Sequence, residues 1–574
     1  MLARLRLPRT AAITSLALVI IVIWTVWLAS EPWSEAWYHP PMHRPSPQPQ
    51  PDDSIPQKSI PQESIPQESR PQESRPQESR PQESRPQESR PEESTKDTAS
   101  EYRVSKLHYL IPTTAITPAV CASVASALLN RYSIPAIVGY KGEGEYDAQA
   151  AHIAKLKAAA RYLHNVPDAL DDDLVIIVDG FDVIAQIPAE AMIQLYFDLM
   201  SAANQRVADR HGLTLKEARD RGLYESLLWG TDKGCFPSLE TEPQCWLIPD
   251  PPTPHNLWGP RSDGDGAELA FSDSKFLNSG TVIGPLGDLR DFLDAANKYI
   301  DEVAHLQEHH HSSDQLYISK LYALQQFHRV NQTLSKGQPF PGHVGNRTLP
   351  MMRARDDEKA EFHVTVDFES AFTQTQCHND NFMHNLKYDN WDNSAIMEKD
   401  ALEEGKAFRP YHIPMPYYFY KSFVRIFHSI EKSARPKGRA RDWVHGLRLG
   451  TNVATRRIFA FYHNTCDKTF FVKRFRDFWF FPNIGAHLRA AAQANRQGEP
   501  ISAQPIDGRM WADALHHPQG AADPDMYGGA FTDLAEEPYL LLREACGEYW
   551  EEVFEVVPAK GSDAAAKPHE DEKA

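Results

Sequence analysis

The chemistry most open to reading in this chain begins at Asp179. Asp179-Gly180-Phe181-Asp182 follows directly on an unbroken apolar run, Leu174-Val175-Ile176-Ile177-Val178. A short apolar run ended by turn residues reads as a strand buried on both faces, and open α/β sheets gather ligand chemistry at the C-terminal ends of such strands. Two carboxylates three positions apart, with a glycine between them that permits a tight turn, can face one hard divalent cation. Mg²⁺ or Mn²⁺ then completes its shell with water and phosphate oxygens. Taken alone, the same four residues also read as a strand-to-helix turn with aspartate caps.

Other reactive groups carry less. His309-His310-His311 can bind a transition metal, but in a polar stretch it reads first as a solvated loop. His378-Asn379-Asp380 has the His-x-Asp spacing of iron-dependent oxygenases, yet no strand pattern surrounds it and no jelly roll is apparent. Lys421 to Arg441 is basic and reads as an inserted, solvated loop, with contact to an anionic acceptor or a membrane surface as the alternative. Tyr417 to Tyr420 and Trp479-Phe480-Phe481 read as core or as walls of an acceptor cleft.

The elements that must position these residues alternate. Leu107 to Ile111 reads as a strand ending at Pro112-Thr113-Thr114, and Thr117-Pro118 as the cap and first turn of a helix carrying Val120, Val124 and Leu128. Pro135 to Val138 is a second short strand, and Ile153, Leu156, Ala160 and Leu163 mark a second helix. Beyond the Asp179 turn, Met192, Leu195, Tyr196 and Leu199 share a helix face. This alternation predicts an α/β fold with a buried, largely parallel sheet.

Five motifs in order sharpen the picture: DDLVIIVDGFDVIAQIP, WGTDKGCFP (Trp229–Pro237), KFLNSGTVIGPLGDLRDFL (Lys275–Leu293), SDQLY (Ser313–Tyr317) and VDFESAFTQ (Val366–Gln374). Together they resemble the glycosyltransferase domain attached to procollagen lysyl hydroxylases, and more closely its stand-alone, membrane-anchored fungal relatives. The resemblance covers Val104 to Gln374, and more loosely reaches Pro482. It implies a GT-A fold, a Rossmann-like nucleotide-sugar-binding architecture, with a UDP-sugar donor and Mn²⁺ (or Mg²⁺).

Residue by residue, the resemblance implies that Asp179 and Asp182 bind the metal and that Phe181 lies near the uracil. Pro112, Thr113 and Thr114 border the nucleoside, and either Lys155 or Lys157 approaches the nucleotide. Asn278, Ser279 and Gly280 form a backbone turn beside the sugar, while Asp314 and Gln315 match an acidic donor-sugar motif in which Ser313 replaces the usual acid. Phe236 stands where the family commonly has Trp. The third metal ligand matches His463, with His412 in reserve, and Lys468 neutralises the leaving diphosphate. Cys466 occupies a position where Gly is expected. Asp314 is also the carboxylate that could accept the acceptor's proton.

Ahead of this region, Ala11 to Ala29 contains no charged residue, and at about 1.5 Å per residue forms a helix roughly 28 Å long, enough for the hydrocarbon of a bilayer. Arg4, Arg6 and Arg9 precede it and Glu31 and Glu35 follow, so the positive-inside rule leaves the N-terminus cytoplasmic. A cleaved signal peptide is the competing reading, although its apolar region is usually shorter. Ser54 to Glu93 repeats a Pro-containing pentapeptide, which suits neither helix nor strand and predicts a hydrated spacer.

The expected organisation is therefore a cytoplasmic tail (1–10), a transmembrane anchor (11–29), a disordered stem (30–100), a GT-A domain (101–375), an extension completing the site (376–560) and a disordered tail (561–574). The sequons at Asn331 and Asn346 suit luminal exposure. Of six cysteines, only Cys235 and Cys245 lie close enough in sequence to suggest a bridge. A net charge of −18 argues against nucleic acid as a partner. The expected function is a type II Golgi or endoplasmic-reticulum glycosyltransferase acting on a glycan or glycoprotein acceptor. The alternatives are another donor such as GDP-mannose, or a catalytically silent luminal carbohydrate-binding or scaffold protein.

Overall fold

A computed structural model describes residues 102–142, 151–259, 262, 268–303, 312–333, 359–398, 409–520 and 522–555. The tail, anchor, stem and repeats before residue 101, His309–His311, the Asn346 sequon and the 561–574 tail lie outside the described residues. Among the described residues, no helix is long and apolar enough to cross a membrane.

In chain order the first half runs β1 (Val104–Pro112), α1 (Pro118–Leu129), β2 (Ala136–Val138), α2 (Ala151–His164), β3 (Leu174–Val178), β4 (Val183–Ala185), α3 (Ala189–Arg210) and β5 (Leu227–Asp232). Then come β6 (Phe276–Pro285), α4 (Leu286–Val303), α5 (Asp314–Thr333), β7 (Val364–Val366) and β8 (Thr373–Thr375). The remainder supplies α6 (Tyr417–Ser429), β9 (Phe461–His463), α7 (Ile484–Arg496), β10 (Met510–Asp513), β11 (Gly529–Thr532) and β12 (Tyr539–Leu541).

The central sheet has the order β12-β11-β2-β1-β3-β6-β5-β7, with β10 pairing the first half of β1. The apolar run of β3 divides its side chains between the two faces. Leu174, Ile176 and Val178 enter the core shared with α1, α3 and α6, whereas Val175 enters the core shared with α2, α4 and α5. That two-sided burial is why the strand is continuously apolar.

Three findings revise the expectations. The sheet is mixed rather than largely parallel, because β6 runs antiparallel to both β3 and β5. Among the described residues, the connection from β5 to β6 holds no crossover helix to carry the chain back to the other end of the strands, and β6 starts beside the end of β5, Asp232 facing Phe276, and returns. Second, strands from the region after residue 375 join the central sheet itself, β10 pairing in parallel with β1 and β11 with β2. Third, the basic stretch from Lys421 is not a loop throughout. Lys421 and Arg425 ride on α6, whose Phe419, Phe423, Ile426 and Phe427 are buried at helical spacing. Arg425 there pairs with Glu190 and donates to the carbonyl of Pro500.

All six cysteines are paired. Besides Cys235–Cys245, the structure joins Cys121 to Cys546 and Cys377 to Cys466.

Candidate active site

The turn after β3 is fixed by its neighbours. The Asp179 amide donates to the Gly280 carbonyl of β6 (2.8 Å), and the Asp182 carbonyl accepts from the Asn464 amide (2.7 Å). Gly180 is needed for close approach rather than for an unusual φ. A Cβ there would lie 2.9 Å from Ile111 Cγ2, 3.2 Å from Thr113 Cβ and 3.3 Å from the Pro112 carbonyl oxygen. Pro112 and Thr113 are consequently buried supports of the turn, while Thr114 is partly accessible.

Immediately after Asp182 the chain enters β4, whose Val183 is paired with His463 at the end of β9. On its other side His463 is in register with Thr375 of β8. This brings a histidine distant in sequence against the aspartate turn. Asp179, Asp182 and His463 each offer one ligand atom, and the three atoms lie within 4.8 Å of one another. His463 Nε2 is 3.4 Å from Asp182 Oδ2. Gly280 makes room for the imidazole, since a Cβ at that position would stand 2.1 Å from His463 Cε1.

Two lysines touch the cluster. Lys155 Nζ lies 2.7 Å from Asp179 Oδ1 and 2.7 Å from Asp314 Oδ2. This settles the register of α2, because Lys157 pairs instead with Asp301. Lys468 Nζ lies 2.8 Å from Asp182 Oδ2, with its side chain 56% exposed.

A polar wall adjoins them. The Asn278 side chain donates to Asp232 Oδ2 (2.8 Å) and accepts from the Gly280 amide (2.9 Å). Gln315, in the first turn of α5, accepts from the Ser279 amide (3.1 Å) and donates to the Phe236 carbonyl (2.6 Å). Phe181 and Phe236 both expose their rings. Asp232 is the site residue that sequence reading passed over. It lay inside the WGTDKGCFP motif, at the C-terminal end of a strand, where the logic applied to Asp179 holds equally.

The electrostatics follow from burial and pairing. Burial opposes ionisation of Asp182, but His463 and Lys468 outweigh it and hold its carboxyl down at about 2. Burial likewise disfavours a charged His463, and Asp182, Asp179 and Asp232 override it, raising its pKa. For Lys155, burial is overcome by Asp179 and Asp314, and its pKa rises. Lys468 is raised in the same way by Asp182 against burial. Asp232 behaves oppositely: burial dominates and raises it, despite the bond from Asn278.

No protein-family model matches this sequence, and no curated protein matches it. The chemistry of the site is carried by its own geometry. Asp182 Oδ1 and His463 Nδ1 are buried without a hydrogen-bond partner, and buried polar atoms are ordinarily satisfied. A hard cation accepted by Asp179, Asp182 and His463 fits this donor set, with mixed carboxylate and imidazole ligands.

Other sequence candidates stand apart from this cluster. His412 sits in the strand Tyr411–Pro414, with its Nδ1 at 2.9 Å from Ser394 Oγ. His378 is not part of the cluster, and Asp380 of its His-x-Asp triplet engages Gln376 and Arg474. Phe419, Trp479, Phe480 and Phe481 are core residues, whereas Tyr417 is exposed.

Proposed function

We propose that this protein is a metal-dependent glycosyltransferase that moves a hexose from a UDP-sugar to a glycan or glycoprotein acceptor, as a single-pass type II protein of the Golgi or endoplasmic reticulum. The observation that carries this reading is the Asp179–Asp182–His463 constellation at the C-terminal end of β3, with a lysine on each of its carboxylates. The resemblance to the lysyl hydroxylase glycosyltransferase domain supports the choice of donor.

A divalent cation held by these three residues supplies Lewis-acid neutralisation of diphosphate charge. The chain's own groups do the rest. Lys468 is paired to Asp182 yet half-exposed, so its ammonium can turn from the carboxylate toward an arriving diphosphate and stabilise the leaving group. Lys155 is enclosed and fixes the directions of Asp179 and Asp314 at once. The Asp314 side chain is 3% exposed and held by that lysine, which suits orientation better than proton transfer. Asp232, raised by burial and hydrogen-bonded to Asn278, is the carboxylate better disposed to meet a sugar hydroxyl. Phe181, 40% exposed beside the metal ligands, offers a face on which uracil can stack.

The test is release of UDP from a panel of UDP-sugars, with GDP-mannose alongside, by the full-length chain with and without Mn²⁺. Asp179→Asn and Asp182→Asn are measured in parallel. Mn²⁺-dependent turnover of at least one UDP-sugar, lost in both variants, is expected. Turnover of GDP-mannose alone would move the donor assignment, and absence of turnover and of Mn²⁺-dependent nucleotide binding would sink the reading.

A further inference from the structure

The loop that carries Lys468 is held differently from the strand that carries His463. His463 is fixed by backbone pairing to both β4 and β8. After Asn464 the chain leaves the sheet, and residues 466–470 are exposed until Phe471 buries again. Asn464 itself is buried and closes the strand end, accepting from Tyr462 Oη (2.7 Å) and donating to the Asp467 carbonyl (2.6 Å). Beyond it stands Cys466, with φ of +64°, a left-handed conformation that costs a residue with a Cβ. Cys466 is bonded to Cys377, two positions past the end of β8. The Cys377 amide also donates to Thr465 Oγ1 (2.9 Å), so the same segment grips the loop twice.

We infer that the Cys377–Cys466 disulfide is a positioning device for Lys468. It pins the loop at a point two residues before the lysine and holds the ammonium within reach of Asp182, while His463 is held by its pairing to β4 and β8 and Asp179 by the Gly280 carbonyl and Lys155. The inference rests on the reading that Lys468 meets a diphosphate, and it makes a separation that general destabilisation does not. Opening the disulfide spares the metal cluster and weakens nucleotide binding. A fall in melting temperature does not decide the matter, because a crosslink over 89 residues also constrains the unfolded chain.

The experiment compares the full-length chain with two variants, Cys377→Ser/Cys466→Ser and Cys377→Ser/Cys466→Gly. The glycine variant keeps the left-handed conformation available without the crosslink. Three quantities are read: hydrogen exchange of residues 464–470 against 461–463, Mn²⁺ affinity, and UDP affinity at saturating Mn²⁺. In both variants, exchange rises in 464–470 while 461–463 stays protected. Mn²⁺ affinity stays within about two-fold, and UDP affinity falls about ten-fold, the scale of one charge-assisted contact.

Wild-type UDP affinity in the glycine variant would overturn the inference, since the backbone conformation alone would then suffice. Parallel loss of Mn²⁺ affinity and of protection in 461–463 would also overturn it, by showing a general loosening. A wild-type chain that takes Mn²⁺ and no UDP refutes the proposed function instead. The exchange data then decide the latch, and unchanged protection in 464–470 counts against it.

Discussion

Lys155 and Lys468 approach the same Asp179–Asp182 turn, and their surroundings differ. Lys155 projects from α2 into a closed position, its side chain 10% exposed, with a carboxylate from the turn after β3 on one flank and one from α5 on the other. Lys468 comes from a loop beyond β9, has one carboxylate partner among the described residues and keeps more than half of its side chain in solvent. Both lysines have raised pKa values and remain cationic. A charge enclosed between one buried and one partly exposed carboxylate is part of the architecture, and removing it strands the others. A charge that is paired but wet costs little to redirect. One side of the site is therefore preset, and the other can answer a ligand.

Substitutions separate the two roles, and the largest effect belongs to the enclosed lysine. Lys155→Met leaves Asp179 and Asp314 without their common partner, and chemical denaturation should show a loss of about 3–5 kcal/mol, the scale for breaking a buried ion pair. A loss below about 1 kcal/mol would erase the distinction from Lys468. Gly280→Ala comes next. Its methyl collides with the His463 ring, and overpacking of this kind costs about 1–3 kcal/mol. Calorimetry should show weakened Mn²⁺ binding as well; unchanged Mn²⁺ binding would remove His463 from the ligand set.

Lys468→Met removes one partner of the buried Asp182, which keeps His463 beside it, so it should cost less stability than Lys155→Met and lower UDP affinity at saturating Mn²⁺ about ten-fold. Equal loss of stability at both lysines would break the comparison. The smallest effect comes from a titrating group outside the Asp179–Asp182–His463 cluster. His487 lies against Trp443 and Trp479, and burial lowers its pKa to about 4. Between that value and the ordinary 6.5, the unfolded chain takes up a proton that the folded chain refuses, so stability falls as pH drops below 6.5. Relative to wild type, His487→Phe should gain about 1 kcal/mol between pH 7.5 and pH 6. A difference that does not change with pH would mean that the histidine is not buried neutral.

The asymmetry between the lysines also marks what could be read from the sequence. The Asp179 turn announces itself because its strand, glycine and both carboxylates are neighbours in the chain, and β3 is found over the span its apolar run predicts. Lys155 and Lys157 lie two positions apart on one helix and so point to different sides, and only the packed structure says which side faces the site. The reversal of β6 was not legible, since strand direction depends on where the preceding connection travels. Cys466 could be marked as unusual, but its partner lies 89 residues earlier, and adjacency of β8 and β9 is what brings them together. Asp232 had a legible signal, a carboxylate at a strand's C-terminal end, but its tie to Asn278 depends on the pairing of β5 with β6.

The central claim is that Asp179, Asp182 and His463 form a metal site that recruits a nucleoside diphosphate. Calorimetric titration of UDP into the full-length chain, with and without Mn²⁺, tests it most directly when repeated on Asp182→Asn. The account predicts UDP binding that requires Mn²⁺ and disappears in the variant. UDP binding of equal strength without metal, or retained in Asp182→Asn, would contradict it.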